Sequence, residues 1–347
     1  MKEDEIYMRR CIQLARNGRN NVSPNPMVGA VVVYNGKIIG EGYHIRCGEA
    51  HAEVNAINAV PDKSLLPYST IYVSLEPCSH YGKTPPCVDL IIEMKIPRVV
   101  IGCQDPFIKV AGRGIQKLRD AGREVTVGTL EEECRNLIAH FIVFHTLRRP
   151  YILLKWAESA DGFIDINRTD GKASVLSTDY TAMLVHKKRA EADAIMVGTR
   201  TAYLDDPSLT VRNWHGKNPI RIVLDKHLLL NPALHLFDES VHTLVYTIRQ
   251  RSGEGQVEYV TLNVGDDLLP QIMHDLYERR VQTLLVEGGS KLLQSFIKDG
   301  LWDEIFVEKS RKQLKSGVKA PEINDKNSYS VNTCFGVPIE HYLNKKA

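Results

Sequence analysis

No stretch of the 347-residue chain approaches the roughly 18 consecutive apolar residues that a membrane-spanning helix needs. The first residues, Met1-Lys2-Glu3-Asp4-Glu5, hold no apolar signal core, so a cytoplasmic location is expected. Charge of one sign is also missing. With 44 Lys and Arg against 42 Asp and Glu, the net charge of +2 argues against nucleic acid or an anionic membrane as a partner. Low-complexity tracts and internal repeats are absent. Seven cysteines, an odd number and widely spread, form no disulfide framework. Reduced cytosolic thiols are instead suited to metal ligation. The G-x-G-x-x-G turn of a dinucleotide fold is absent too, which excludes a standard Rossmann site.

What is present describes an α/β protein of two domains, since the length exceeds one typical core. Arg148-Arg149-Pro150 reads as the boundary, giving domains 1–147 and 148–347. Tyr7, Cys11, Leu14 and Ala15 share one helix face. Asn35-Gly36 between the apolar runs 28–34 and 37–39 predicts a hairpin. A helix over 51–60 stopped by Pro61, a strand over 70–75, and a helix opened by Pro85-Pro86-Cys87 with proline in its first turn are expected next. A strand over 98–103, a helix over 114–121 and a strand over 124–127 complete a small layered domain. Beyond the boundary, strands at 151–155, 194–197, 220–224, 243–246, 283–286 and 305–307 alternate with helices at 178–190, 268–280 and 291–298. That alternation predicts a mostly parallel sheet covered by helices. Such sheets bind ligands at their carboxyl ends.

The strongest chemical signal is His51-Ala52-Glu53, followed by Pro77-Cys78 and Cys87. One nitrogen and two thiolates leave zinc a fourth position for water, whereas a structural zinc site is closed by four protein ligands. Bound zinc acidifies that water. An acid that is not a ligand, here Glu53, moves protons to the ring and the departing ammonia in base deaminases. Each residue alone has an ordinary reading: a structural histidine, a small buried cysteine. In this order they point to a zinc-dependent deaminase. Both cysteines fall at strand-to-helix transitions and His51 at a helix start, where positive helix ends favour thiolate. Eight residues, Ser79 to Pro86, separate the cysteines, against two in the short form of the signature. This polar insert, with His80 and Lys83, is placed to meet an anionic part of a substrate.

The second half is less specific by itself. Leu285-Val286-Glu287-Gly288-Gly289-Ser290 is a strand, a glycine pair and a helix start, which lets backbone approach a phosphate. Asp205-Asp206-Pro207 and Thr210-Val211-Arg212 read equally well as capped turns.

Longer motifs carry a resemblance. His51-Ala52-Glu53, the run from Glu76 to Cys87, Pro24-Asn25-Pro26-Met27-Val28-Gly29 and Gln104-Asp105-Pro106 closely resemble the bifunctional riboflavin-biosynthesis deaminase/reductase family. So do the runs Lys155–Gly162, Val197–Arg212 and Val286–Gly289, and the resemblance covers nearly the whole chain. It implies a cytidine-deaminase-like three-layer domain followed by a dihydrofolate-reductase-like domain, with Zn2+ and NADPH as cofactors. Zinc would be held by His51, Cys78 and Cys87, with Glu53 as proton shuttle. Asn25, His44, His80, Lys83 and Asp105 would contact a diaminopyrimidinone carrying a ribosylamino 5-phosphate. In the reductase, Arg189 and Arg212 would hold the phosphate, suited by bidentate geometry and permanent charge. Asp205, Leu209 and Glu287 would also contact substrate, and Lys155 would lie near the reacting carbon. Ala157, Thr201, Gly289, Ser290, Lys291, Leu292, Leu293, Gln294 and Ser295 would line the NADPH site. A homo-oligomer is expected from the resemblance alone.

Two departures stand out. Val175-Leu176-Ser177 replaces a family pattern with tryptophan two residues before Ser or Thr, and Glu308-Lys309-Ser310-Arg311-Lys312 is charged where the family has an apolar strand end. The alternatives are a nucleoside or RNA base deaminase with a non-catalytic C-terminal domain, and a zinc-stabilised binding protein that senses nucleotide.

Overall fold

The computed structural model describes residues 3–19, 21–81, 85–106, 111–169, 172–323 and 329–344. The chain forms two compact units, Met1–Arg148 and Arg149–Ala347. Among the described residues, no helix is long and apolar enough to cross a membrane.

The first unit runs α1 (Glu3–Ala15), β1 (Gly29–Tyr34), β2 (Lys37–Tyr43), α2 (Ala52–Asn58), β3 (Thr70–Leu75), α3 (Cys87–Glu93), β4 (Arg98–Cys103), α4 (Arg113–Asp120), β5 (Glu124–Val127), α5 (Glu131–Leu137) and α6 (Ala139–Leu147). Its sheet has the order β2-β1-β3-β4-β5. The β1–β2 hairpin is antiparallel and turns on Asn35 (φ 47°) and Gly36 (φ 72°), the conformation that Asn-Gly favours. β3, β4 and β5 are parallel. Strand alternation splits the core. Ala30, Val32, Ile71, Val73, Val99 and Ile101 pack against α2, α3 and α4. Val31, Val33, Tyr72 and Val100 face α1 and α5. Helices on both faces of one sheet make the three layers of a cytidine-deaminase-like domain. Proline stands just outside α3 rather than in its first turn: Pro86 is the N-cap and Cys87 the first helical residue.

The second unit runs β6 (Tyr151–Glu158), β7 (Phe163–Asp165), α7 (Asp179–Glu191), β8 (Ala194–Gly198), α8 (Thr199–Asp205), β9 (Ile220–Leu224), β10 (Thr243–Thr247), β11 (Val257–Thr261), α9 (Leu268–Glu278), β12 (Thr283–Val286), α10 (Ser290–Lys298), β13 (Glu304–Lys309), β14 (Val318–Lys319), β15 (Tyr329–Cys334) and β16 (Val337–Leu343). A nine-stranded sheet has the order β11-β10-β9-β8-β12-β6-β13-β16-β15. It is parallel from β11 to β13, and β16 and β15 join antiparallel. The C-terminal segment, which carries little apolar periodicity, is thus a hairpin completing this sheet. α7 begins with a capping box between Thr178 and Thr181. Arg149 makes a bidentate pair with Asp303 (2.6 and 2.9 Å), and Asp303 also accepts from the N–H of Ile152 at 2.7 Å. The pair is buried, and it ties the starts of β6 and β13 together.

In the first unit, Arg98 on β4 grips Asp4 of α1 bidentately at 2.9 and 2.8 Å, and the Tyr72 hydroxyl donates to Asp4 at 2.8 Å. The Arg98 bond holds the Asp4 carboxyl below its ordinary 3.8. A depressed carboxyl stabilises the fold above its unfolded pKa, and this contribution is lost as pH falls through the folded value. Asp4→Asn should therefore lower the Tm at pH 6 and cost progressively less as pH drops below about 4. Thermal unfolding of both proteins across that range checks this; a Tm difference independent of pH would contradict it.

Candidate active sites

Close helix–strand packing sets the first site. A Cβ on Gly40 would lie 2.3 Å from the Ala56 carbonyl oxygen, and one on Gly42 2.4 Å from the Ala56 nitrogen. Only glycine lets β2 and α2 approach this closely. α2 is thereby fixed, and its N-cap, His51, with it. β3 ends at Leu75, which delivers Cys78 to the same end of the sheet. The N–H of Cys87 donates to Cys78 Sγ at 3.3 Å, so the start of α3 turns onto the same point.

His51 Nδ1 lies 3.6 Å from Cys78 Sγ and 3.4 Å from Cys87 Sγ. All three ligand atoms fall within 4.8 Å of one another, the one such group of His, Cys and acid side chains among the described residues. Zinc at about 2.0 Å from nitrogen and 2.3 Å from sulfur, with tetrahedral angles, needs N···S edges of about 3.5 Å. The donor set fits zinc in both chemistry and spacing. The bond from Cys87, helped by His51, draws Cys78 down to about 4; Cys87, donating to Cys78 in a desolvated place, is pushed up. Glu53 is 3% exposed, and burial followed by the neighbouring Cys78 raises its carboxyl to about 7.

His44 is buried, with its ring centroid 5.3 Å from that of His51. Its Nδ1 is 3.1 Å from the Ala50 carbonyl oxygen and its Nε2 3.0 Å from Asn25 Nδ2. These contacts fit a neutral ring with the proton on Nδ1, and burial lowers its pKa accordingly. Asn25 and His44 therefore join the His51 neighbourhood. His80 is exposed just past Cys78, and Lys83 lies outside the described residues. Asp105 is half-buried, and its N–H donates to Glu76 Oε2 at 3.2 Å.

Glu76 has a role that its place in a motif does not announce. It is buried and also accepts from the N–H groups of Gly112 (3.0 Å), Gly114 (2.9 Å) and Ile115 (3.3 Å). It thus ties the start of α4 and the Asp105 segment to the turn that carries Cys78.

In the second unit a cavity of about 570 Å³ opens beside the ends of β6, β8 and β12. Lys155, Ala157, Thr201, Asp205, Glu287, Gly289, Ser290, Lys291 and Leu293 line it. Leu292, Gln294 and Ser295 are not brought to it. Leu292 packs in the core, Gln294 bonds the backbone of Glu322, and Ser295 bonds the Lys291 carbonyl. Helical periodicity explains the split, because one face of α10 cannot present every residue to a single cavity. A glycine turn packed against β8 and α8 borders the cavity. Gly289 (φ 76°) caps α10, and a Cβ on Gly288 would meet Val197 and Thr201 at 2.9 and 3.0 Å. Bare backbone at the start of a helix suits a phosphate-bearing group.

Arg189 pairs with Glu287 (3.0 and 2.5 Å) and donates to the Thr210 carbonyl at 3.2 Å. Arg212 donates from Nη1 to Thr210 Oγ1 at 3.0 Å, and its N–H donates to His186 Nδ1 at 3.1 Å. Both arginines therefore converge on Thr210. Leu209 is 2% exposed and adopts φ 50°, a strained backbone for a leucine. Its side chain belongs to the core, leaving only its backbone for a ligand. Arg168, with no signal in the sequence, pairs with Asp165 (2.7 Å) and Asp205 and lines the cavity.

The two units thus define a chain with a zinc-binding, cytidine-deaminase-like domain and a separate α/β reductase domain. A model of the cytidine and deoxycytidylate deaminase zinc-binding region matches residues 1–103, and a model of the RibD C-terminal domain matches residues 150–308. The riboflavin biosynthesis protein RibD of Aquifex aeolicus is 39% identical over 326 residues, spanning 92% of this chain and 90% of that protein. RibD of Escherichia coli is 35% identical, spanning 91% of this chain and 90% of its own. The crystal structure of a diaminohydroxyphosphoribosylaminopyrimidine deaminase/5-amino-6-(5-phosphoribosylamino)uracil reductase from Thermotoga maritima superposes with a TM-score of 0.87 at 37% identity, covering 99% of both chains. The chain belongs to the RibD family, the bifunctional deaminase/reductases of riboflavin biosynthesis.

A Cβ on Gly114 would stand 2.2 Å from the Pro77 carbonyl oxygen. Gly114→Ala should push α4 off the Cys78 turn and destabilise the first unit by roughly 1–3 kcal/mol, as overpacking does. Denaturant unfolding measures this, and an unchanged midpoint would show that the contact relaxes freely.

Proposed function

We propose that residues 1–147 form a zinc-dependent deaminase domain acting on 2,5-diamino-6-ribosylamino-4(3H)-pyrimidinone 5-phosphate, and that residues 148–347 reduce the ribosyl group of its product to ribityl with NADPH. The convergence of His51, Cys78 and Cys87 beside a buried Glu53 carries this reading. His51, Cys78 and Cys87 would hold zinc, which would supply Lewis acidity and lower the pKa of a water beside it. Glu53 is the proton carrier: it would take one proton from water and pass it to the ring nitrogen, then carry the proton of the added hydroxyl to the amine that departs as ammonia. Its burial favours such a role, because a carboxyl with a raised pKa both takes and returns a proton near neutrality. Asn25 and His44 would orient the ring, with His44 neutral. His80, Lys83 and Asp105 would meet the rest of the substrate, and a cationic lysine suits its phosphate.

In the second unit NADPH would supply the hydride. The chain's own part is positioning. The Gly288–Gly289 turn, Ala157, Thr201, Ser290, Lys291 and Leu293 would hold the cofactor. Arg189 and Arg212 would take the substrate phosphate, Asp205 and Glu287 its sugar or base, and Lys155 would lie near the reacting carbon. Glu287 has a second consequence: it neutralises Arg189 until a phosphate arrives. Family membership over nearly the whole chain disfavours a nucleoside or RNA deaminase with an idle appendage.

Two measurements test these assignments. Glu53→Gln should retain one zinc per chain and lose ammonia release by at least about 100-fold, the lower bound for a general acid–base, with the reductase intact. His51→Ala should lose the zinc as well. Persistent deamination in Glu53→Gln would remove Glu53 from the mechanism. For the reductase, Arg212→Ala should raise the substrate KM by roughly tenfold or more, since a charged hydrogen bond contributes about 1.5–3 kcal/mol. An unchanged KM would sink the phosphate assignment.

A further inference from the structure

Behind the wall of the reductase cavity lies a carboxylate that the proposed reaction does not use. Glu308 is 1% exposed on β13. In the parallel pairing of β13 with β6, Phe306 stands opposite Lys155 and Glu308 opposite Ala157. Lys155 and Glu308 therefore share a sheet face, offset by two residues along the strands. Glu308 Oε2 lies 3.6 Å from Lys155 Nζ. The same oxygen accepts from Ser177 Oγ at 2.7 Å, and Oε1 accepts from Thr181 Oγ1 at 2.6 Å. Both hydroxyl bonds have the short length of charge-assisted bonds.

Each partner belongs to a different part of the site. Lys155 and Ser177 line the cavity. Thr181 forms the capping box that starts α7, the helix bearing Arg189. One buried carboxylate thus joins a strand, the 175–177 segment and a helix start. A second contact acts alongside it: Lys312 Nζ donates to the Val175 carbonyl at 2.6 Å. The charged run after β13 and the segment around Val175, the two departures in the sequence, are thereby parts of one assembly. The side chain of Lys155 is only 14% exposed. A charge so placed needs a fixed counter-charge to stay buried and directed.

We infer that Glu308 is a positioning residue of the reductase site, fixing Lys155 Nζ from behind the cavity wall and itself held in place by Ser177 and Thr181. The inference rests on the reading that places Lys155 beside the reacting carbon. Glu308 touches neither substrate nor cofactor; it acts through Lys155.

The test uses the full chain loaded with zinc, supplied with the deaminated pyrimidine and NADPH. Glu308→Gln keeps the shape and removes the charge. It should lower reductase kcat by roughly 10- to 100-fold, the scale of a small misplacement of a reacting group, while NADPH affinity and ammonia release stay within about twofold of wild type. Glu308→Asp, which keeps the charge at a greater distance, should recover part of the loss. In a Lys155→Met background Glu308→Gln should add no more than about twofold, because residues acting as a unit are not additive. Full reductase turnover in Glu308→Gln alongside a crippled Lys155→Met would overturn the inference and leave the role of Lys155 standing. Full turnover in Lys155→Met would overturn both. A collapse of NADPH affinity in Glu308→Gln and Glu308→Asp alike would make Glu308 a structural residue and overturn the inference too.

Discussion

The deaminase site depends on how closely one helix lies against one strand. Gly40 and Gly42 allow α2 to sit where any side chain would collide with the backbone of Ala56. That contact fixes the direction in which His51 leaves the helix start. The parallel strand β3 and the start of α3 bring Cys78 and Cys87 to meet it. His51 and Glu53 do not share a helix face, so they reach one point only at the helix terminus. Placing the ligands at element ends solves this, and the field of the helix starts favours thiolate there. Glu76 adds rigidity from behind, with four backbone N–H groups bound to one buried carboxylate.

The reductase unit uses the same physical means with different groups. Its cavity lies where parallel strands end and helices begin, with a glycine turn where a ligand needs bare backbone. Its charges are paired around that cavity: Arg189 with Glu287, Arg168 with Asp165 and Asp205, and Lys155 with Glu308. Such pairs hold ionic side chains at low exposure and in defined directions. The Arg149–Asp303 pair does so at the opposite end of β6 for purely structural ends. A domain proposed to bind a phosphorylated substrate and a phosphorylated cofactor needs fixed cations, and fixed cations need such partners.

Features with a local physical cause were legible in the sequence. The Asn35-Gly36 hairpin follows from a turn that needs positive φ at two residues. The strands over 70–75 and 98–103 follow from β-branched runs, and the α7 start from a threonine cap. The cluster of His51, Cys78 and Cys87, and the acid Glu53 beside it, were readable because zinc-dependent deamination would demand those residue types in that order. The pair α5–α6 and the strand β11 were not legible, and neither was the hairpin β15–β16, where β15 is mostly exposed, β16 mostly half-buried, and clear alternation is lacking. Arg168 and Glu308 were invisible as site residues because the partners of Glu308, and the Asp205 partner of Arg168, lie far away in sequence. Glu308 reads as an oddity at a strand end, and only the fold shows Lys155, Ser177 and Thr181 around it. Leu209 carries a motif position, yet burial assigns its side chain to the core.

One chain is expected to carry out both steps in succession. Zinc-loaded protein would be given the diaminopyrimidinone ribosyl phosphate and NADPH, with ammonia release and NADPH consumption followed separately. The account predicts both signals, with NADPH consumption trailing ammonia release and abolished when deamination is blocked. Ammonia without loss of NADPH, or NADPH loss that does not require deamination, would contradict it.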